Sequence, residues 1–194
     1  MVRVTGGGLR GRVLQTPRDQ RVRPTTGRAR EALFAMLGER VTGAWALDLF
    51  AGSGVLGLET LSRGGGGALF VEQDGSIAEL IRLNLRACGM ETRGEVVTAS
   101  VLHPGLVGQV QQGAMRRFGQ VPAIGLVFMD PPYGRGLVPA ALEMLAHSPL
   151  LAPKAVVVAE HEPGGEGKAL QGAWHPLQNR AYGDTRISFW QWRG

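Results

Sequence analysis

Five short apolar runs, "WALDLF", "ALFVE", "EVVTA", "IGLVFM" and "KAVVVAE", are separated by stretches whose apolar residues recur at helical spacing. Strands that alternate with helices cannot be joined by tight hairpins. They therefore specify a parallel, doubly wound α/β sheet. The intervening helices are "VLGLETLSR", "SIAELIRLNLRAC", a weaker one ending near Phe118, and "LVPAALEMLA". In the second of these Ile77, Leu80, Ile81, Leu85 and Cys88 share one face, which places the single cysteine in the core.

Two further pieces flank this pattern. At the front, "VRVTGG" and "RGRVLQTP" pair as a hairpin across glycines, and "GRAREALFAMLGER" has helical spacing at Ala32, Leu33, Met36 and Leu37. At the back, "PGGEGKALQGA" reads as a flexible connection, and "WHPLQNRAYGDTRISFWQW" as two antiparallel strands turned at Gly183-Asp184. The expected organisation is a basic arm over residues 1–40, with a sheet domain of seven strands over 41–194. "RGGGG" at 63–67 reads as a helix stop with Arg63 near the helix C-terminus.

Charge is unevenly placed. Residues 1–40 hold nine arginines against three acids, whereas the other 154 residues hold twelve cations against thirteen acids. Arginine suits phosphates and base edges, so a nucleic acid is the expected partner, with Arg10, Arg12, Arg23, Arg28, Arg30 and Arg135 as candidate contacts. The chain shows no apolar run long enough to span a bilayer and no secretory signal, and one cysteine fits a reducing compartment; a cytoplasmic monomer is expected. The four histidines are scattered, which predicts no metal site.

In such sheets ligands sit beyond the carboxyl ends of the strands. The first strand ends in "DLFAGSG", and Gly52, Ser53 and Gly54 form a turn open to an anionic ligand group at a helix N-terminus. With Gly57 this is a literal G-x-G-x-x-G, and Glu72 stands where a ribose carboxylate belongs, so a dinucleotide-dependent oxidoreductase stays open. Asp48 favours S-adenosylmethionine, whose sulfonium and ammonium attract a carboxylate that a pyrophosphate would repel. Gln73 and Ser100, after the second and third strands, complete the candidate cofactor residues.

The fourth strand stops at Asp130-Pro131-Pro132-Tyr133. An exocyclic ring amine is a poor nucleophile because its lone pair is delocalised. Asp130 and the carbonyl of Pro131 are placed to accept its N–H groups, the prolines stiffen the turn, and Tyr133 offers a face on which an extruded base stacks.

"DLFAGSG" and "DPPY" resemble the amino-methyltransferases of nucleic-acid bases. Together with "RVTGGGLRGRVLQTP", "RPTTGRAREALFAML" and "FMDPPYGRGL", they make the chain similar to the RsmD family of bacterial 16S rRNA guanine-N2 methyltransferases, over about residues 3–162. The resemblance implies a Rossmann-like class I methyltransferase fold and S-adenosylmethionine as cofactor, on 16S rRNA in an assembled or assembling small subunit. It implies that Asp48, Gly52 and Gly54 line the methionine end, Glu72 holds the ribose hydroxyls, and Asp130 to Tyr133 face the guanine. Gly27 and Ala35 stand where the family usually has Asp and Asn, and Ser100 where many members have Asp or Asn. Adenine-N6 methylation on the same fold, and a non-catalytic RNA-binding role, stay open.

Overall fold

The computed structural model describes residues 2–17, 27–165, 172–183 and 185–194. The front hairpin pairs β1 (Val2–Arg3) with β2 (Val13–Leu14), antiparallel, and helix α1 (Gly27–Leu37) follows. The sheet domain runs β3 (Trp45–Leu49), α2 (Val55–Ser62), β4 (Gly67–Glu72), α3 (Gly75–Ala87), β5 (Gly94–Thr98), α4 (Leu106–Phe118), β6 (Ile124–Met129), α5 (Leu137–Ala146), β7 (Leu151–His161), β8 (Trp174–Tyr182) and β9 (Thr185–Trp192). The weak helix expected to end near Phe118 is a full helix, α4, closed by Gly119 at φ +70°.

The seven strands lie in the order β5-β4-β3-β6-β7-β9-β8, with β3 to β7 parallel and β9 and β8 antiparallel. Strand order reverses between β3 and β6, which opens a crevice there. Leu49 pairs with both Val71 and Met129, so Phe50, Glu72 and Asp130 emerge at the same level of the carboxyl edge.

Alternate residues of the central strands feed two cores, as a period of two demands. Leu47, Leu49, Val71, Val127 and Met129 face α4 and α5, and Trp174 and Trp190 join them. Ala46, Phe70, Phe128 and Val158 face α1, α2 and α3. Cys88 is buried on this side, as the face of α3 predicts. Gly57 lies on α2 where a Cβ would come within 2.3 Å of the Phe70 ring; the last glycine of the G-x-G-x-x-G lets the helix settle on the sheet.

The front segment is packed onto the sheet domain as a layer. Val4, Leu14, Leu33, Phe34 and Leu37 belong to the second core, and the Phe34 and Phe128 rings lie 5.7 Å apart. Glu59, fully buried on α2, accepts from the Thr5 N–H (2.9 and 3.1 Å) and hydroxyl (2.5 Å) and from Arg63 (2.8 Å). Arg63, expected only to sit near a helix end, also stands 4.9 Å over the Phe34 ring.

Candidate active site

The turn after β3 is built from left-handed backbone. Phe50 (φ +61°), Gly52 (+53°) and Gly54 (+75°) all lie there, and a side chain at Phe50 makes this a strained conformation. The buried Asp48 reaches past the turn and accepts the Gly57 N–H at 3.0 Å, replacing the side-chain cap that Gly54 cannot give α2. Burial pushes the Asp48 carboxyl well above its ordinary range; the Gly57 N–H pulls it back, and Asp130 and Glu72 add to the rise.

Glu72 fixes the mouth of the crevice. Its two oxygens accept the N–H of Gly52 (3.0 Å) and of Asp74 (2.9 Å), so one carboxylate joins the β3 turn to the start of α3. Asn84, buried on α3, donates to the Ser53 carbonyl (3.0 Å) and exchanges hydrogen bonds with the backbone of Gln15 (2.8 and 2.9 Å). Gln73 and Ser100 are exposed at the same edge, where the Ser100 hydroxyl caps a local turn through the Leu102 N–H (3.3 Å). A Cβ at Gly52 would meet nothing closer than 4.0 Å, so this backbone is open to a ligand. An open glycine turn flanked by Asp48 and Glu72 fits a cofactor with a cationic methionine end and ribose hydroxyls.

Across the crevice, Asp130 is half-buried, Pro131 is buried, and Tyr133 is 44% exposed. The Tyr133 hydroxyl donates to Glu160 Oε1 (3.1 Å) and pairs with the Thr185 hydroxyl (2.9 Å), while the Gly134 N–H donates to Glu162 (2.9 Å). Desolvation first, with Glu160 and Asp130 adding to it and Thr185 opposing, pushes the Tyr133 phenol up to about 12. Asp130 and Glu160 line a small pocket floored by Leu33, Leu56, Phe128, Val158 and Ile187. Glu160, Glu162, Thr185 and Asn84 were absent from the residues expected at the site. Only "AEHE" at the end of an apolar strand signalled any of them.

The candidate RNA contacts divide. Arg10, Arg12, Arg28 and Arg135 are exposed, and Arg23 lies outside the described residues. Arg30 does not fit the expected role: it is 3% exposed and donates to the Arg3 carbonyl at 2.8 Å, so it braces α1 against β1 out of reach of a phosphate. Burial lowers its pKa, with Glu59 and Glu31 opposing.

A family model described as "Conserved hypothetical protein 95" matches residues 2–191. Ribosomal RNA small subunit methyltransferase D of Escherichia coli (strain K12) is 32% identical over 191 residues, 98% of this chain and 89% of that protein. The chain belongs to this family, the RsmD methyltransferases. The solved structure of yhhF from Escherichia coli is 31% identical with a TM-score of 0.81, over 99% of this chain and 98% of that one. An RNA methyltransferase from Salinibacter ruber, solved with S-adenosyl-L-homocysteine, shares the fold at 14% identity, with a TM-score of 0.63 over 88% of this chain and 94% of that one. The doubly wound α/β sheet expected from the alternating pattern, and the Rossmann-like class I methyltransferase fold implied by the resemblance, are both found.

Proposed function

We propose that this enzyme methylates the exocyclic N2 amine of a guanine in 16S rRNA, using S-adenosylmethionine, as a monomer acting on an assembled or assembling small subunit. The observation that carries this reading is the level placement of Glu72, the Gly52–Gly54 turn and Asp130-Pro131-Pro132-Tyr133 around the strand-order reversal. One side of the crevice suits a nucleoside cofactor, and the other suits an amine held by acceptors.

S-adenosylmethionine supplies an electrophilic methyl on a sulfonium. Asp130 and the Pro131 carbonyl each accept one N–H of the amine, which leaves the nitrogen lone pair aimed across the crevice at that methyl. As the N–C bond forms and the S–C bond breaks, positive charge grows on nitrogen, and Asp130 steadies it. The proton then leaves to Asp130 or to water. Tyr133 stacks on the base, and its hydroxyl is held by Glu160 and Thr185, so the ring face is fixed before the base arrives.

The test is transfer of tritium from labelled S-adenosylmethionine to small subunits lacking the modification, followed by mapping of the labelled fragment and separation of nucleosides. N2-methylguanosine at one position is the expected product. N6-methyladenosine would overturn the reading.

A further inference from the structure

Asp130-Pro131-Pro132-Tyr133 does not by itself distinguish guanine from adenine, since either base offers an exocyclic amine with two N–H groups. The neighbouring strand places a second carboxylate beside this turn. Met129 of β6 pairs with Ala159 of β7, so Asp130 and Glu160 are laterally adjacent at the carboxyl edge and face the same side of the sheet. Both line the pocket floored by Phe128, Val158 and Ile187, and Glu160 also accepts the hydroxyl proton of the ring on which the base rests.

We propose that Glu160 is the residue that selects guanine, accepting the N1–H of the base while Asp130 accepts an N–H of the adjacent N2 amine. This inference rests on the guanine-N2 reading above. Guanine presents two neighbouring kinds of donor along its Watson–Crick edge, and two side-by-side carboxylates match them. Adenine beside the same turn presents its amine and, next to it, the N1 lone pair. That lone pair would face a carboxylate that can only accept, leaving a buried acceptor against an acceptor. Reading a flipped base on this edge is how an enzyme that extrudes a nucleotide recognises it. Glu160 thus acts through its own contact with the substrate, and its bond to Tyr133 sets both the ring and the carboxylate at once.

The test uses the nucleotide mapped by tritium, in small subunits reconstituted with either guanosine or 2-aminopurine riboside at that position. 2-Aminopurine keeps the N2 amine but carries a lone pair at N1. The parent enzyme should methylate the guanosine substrate at least about 100-fold faster than the 2-aminopurine one. Glu160→Gln keeps an acceptor for the Tyr133 hydroxyl and gains an N–H donor toward N1, so this ratio should fall at least about tenfold. The loss of O6 in the analogue affects both enzymes, so the change in ratio isolates Glu160. Tyr133→Phe removes the tether but leaves the carboxylate, so it should lower the ratio less than Glu160→Gln does. An unchanged ratio in Glu160→Gln, or no discrimination by the parent enzyme, would overturn the proposal. Absence of any N2-methylguanosine from the parent reaction would instead remove the guanine-N2 reading itself.

Discussion

Each carboxylate at the crevice has a different physical setting, and each yields a separate expectation. Glu72 already holds two backbone N–H groups, so Glu72→Ala loosens the β3 turn as well as removing acceptors for ribose hydroxyls. Charge-assisted bonds of this kind contribute about 1.5–3 kcal/mol, so calorimetry should show cofactor affinity falling at least tenfold; unchanged affinity would clear Glu72 of the role. Asp48 is buried, and its pKa is raised above the unfolded value. Its contribution to stability is therefore full below the ordinary carboxylate range and is lost as pH rises through the folded pKa. Asp48→Asn retains an acceptor for Gly57 and should flatten that decline in thermal melts, while weakening cofactor binding, because the cationic methionine end wants the charge. Asp130→Asn should slow single-turnover transfer at saturating cofactor by a barrier of about 2–4 kcal/mol, since an amide can present an N–H to an N–H. A near-parental rate would remove Asp130 from the chemistry. With a phenol held at about 12, Tyr133 stays neutral throughout any ordinary assay, so the pH–rate profile of Tyr133→Phe should match the parent in shape. Asp48, Glu72 and Asp130 were legible because each stands at or within two residues of the carboxyl end of a strand. Glu160 was less so, because its meaning comes from β6–β7 register and from a tyrosine 27 positions away.

At the scale of elements, α2 works as a strut between the two ends of the molecule's business. Its first turn is held by Asp48, and its last turn holds Thr5 through Glu59 and Arg63, while Ser62 accepts the Leu9 N–H at 2.9 Å and donates to the Gly6 carbonyl at 2.5 Å. Glu59→Ala leaves Arg63 and Thr5 without their acceptor and should cost about 3 kcal/mol, given that Arg63 is partly hydrated. Denaturant melts would measure the loss, and limited trypsin digestion should cut first among the front arginines; global unfolding without early front cleavage would show that the latch is not local. The pair Glu59–Arg63 is visible in the sequence as an i,i+4 spacing. Its bond to Thr5 is not, because nothing local connects residues 54 positions apart. The role of Asn84 is illegible for the same reason: a single amide on an otherwise apolar helix face shows its purpose only when Gln15 and Ser53 arrive beside it.

For the whole molecule, the segregated charge remains the strongest pointer to RNA. Replacing Arg10, Arg12 and Arg28 should flatten the logarithmic salt dependence of rRNA binding by about 0.7–0.9 per lost phosphate contact, with little change in cofactor affinity. Arg30→Ala should leave that slope alone and lower stability, because Arg30 is buried and donates to the Arg3 carbonyl; a changed slope would mean that the front segment reopens on RNA. Sheet, helices and hairpins were readable because period-two and period-3.6 patterns are local. The docking of the front segment was not, since it depends on which apolar faces meet. One consequence concerns synthesis. The crevice wall that suits the cofactor lies within residues 45–100, but Thr185 on β9, which helps fix Tyr133, is made 52 residues after the ring it steadies. A growing chain therefore has the wall suited to a nucleoside long before it has a firm platform for a base, and on this reading the site for RNA is finished only after β9 has been made.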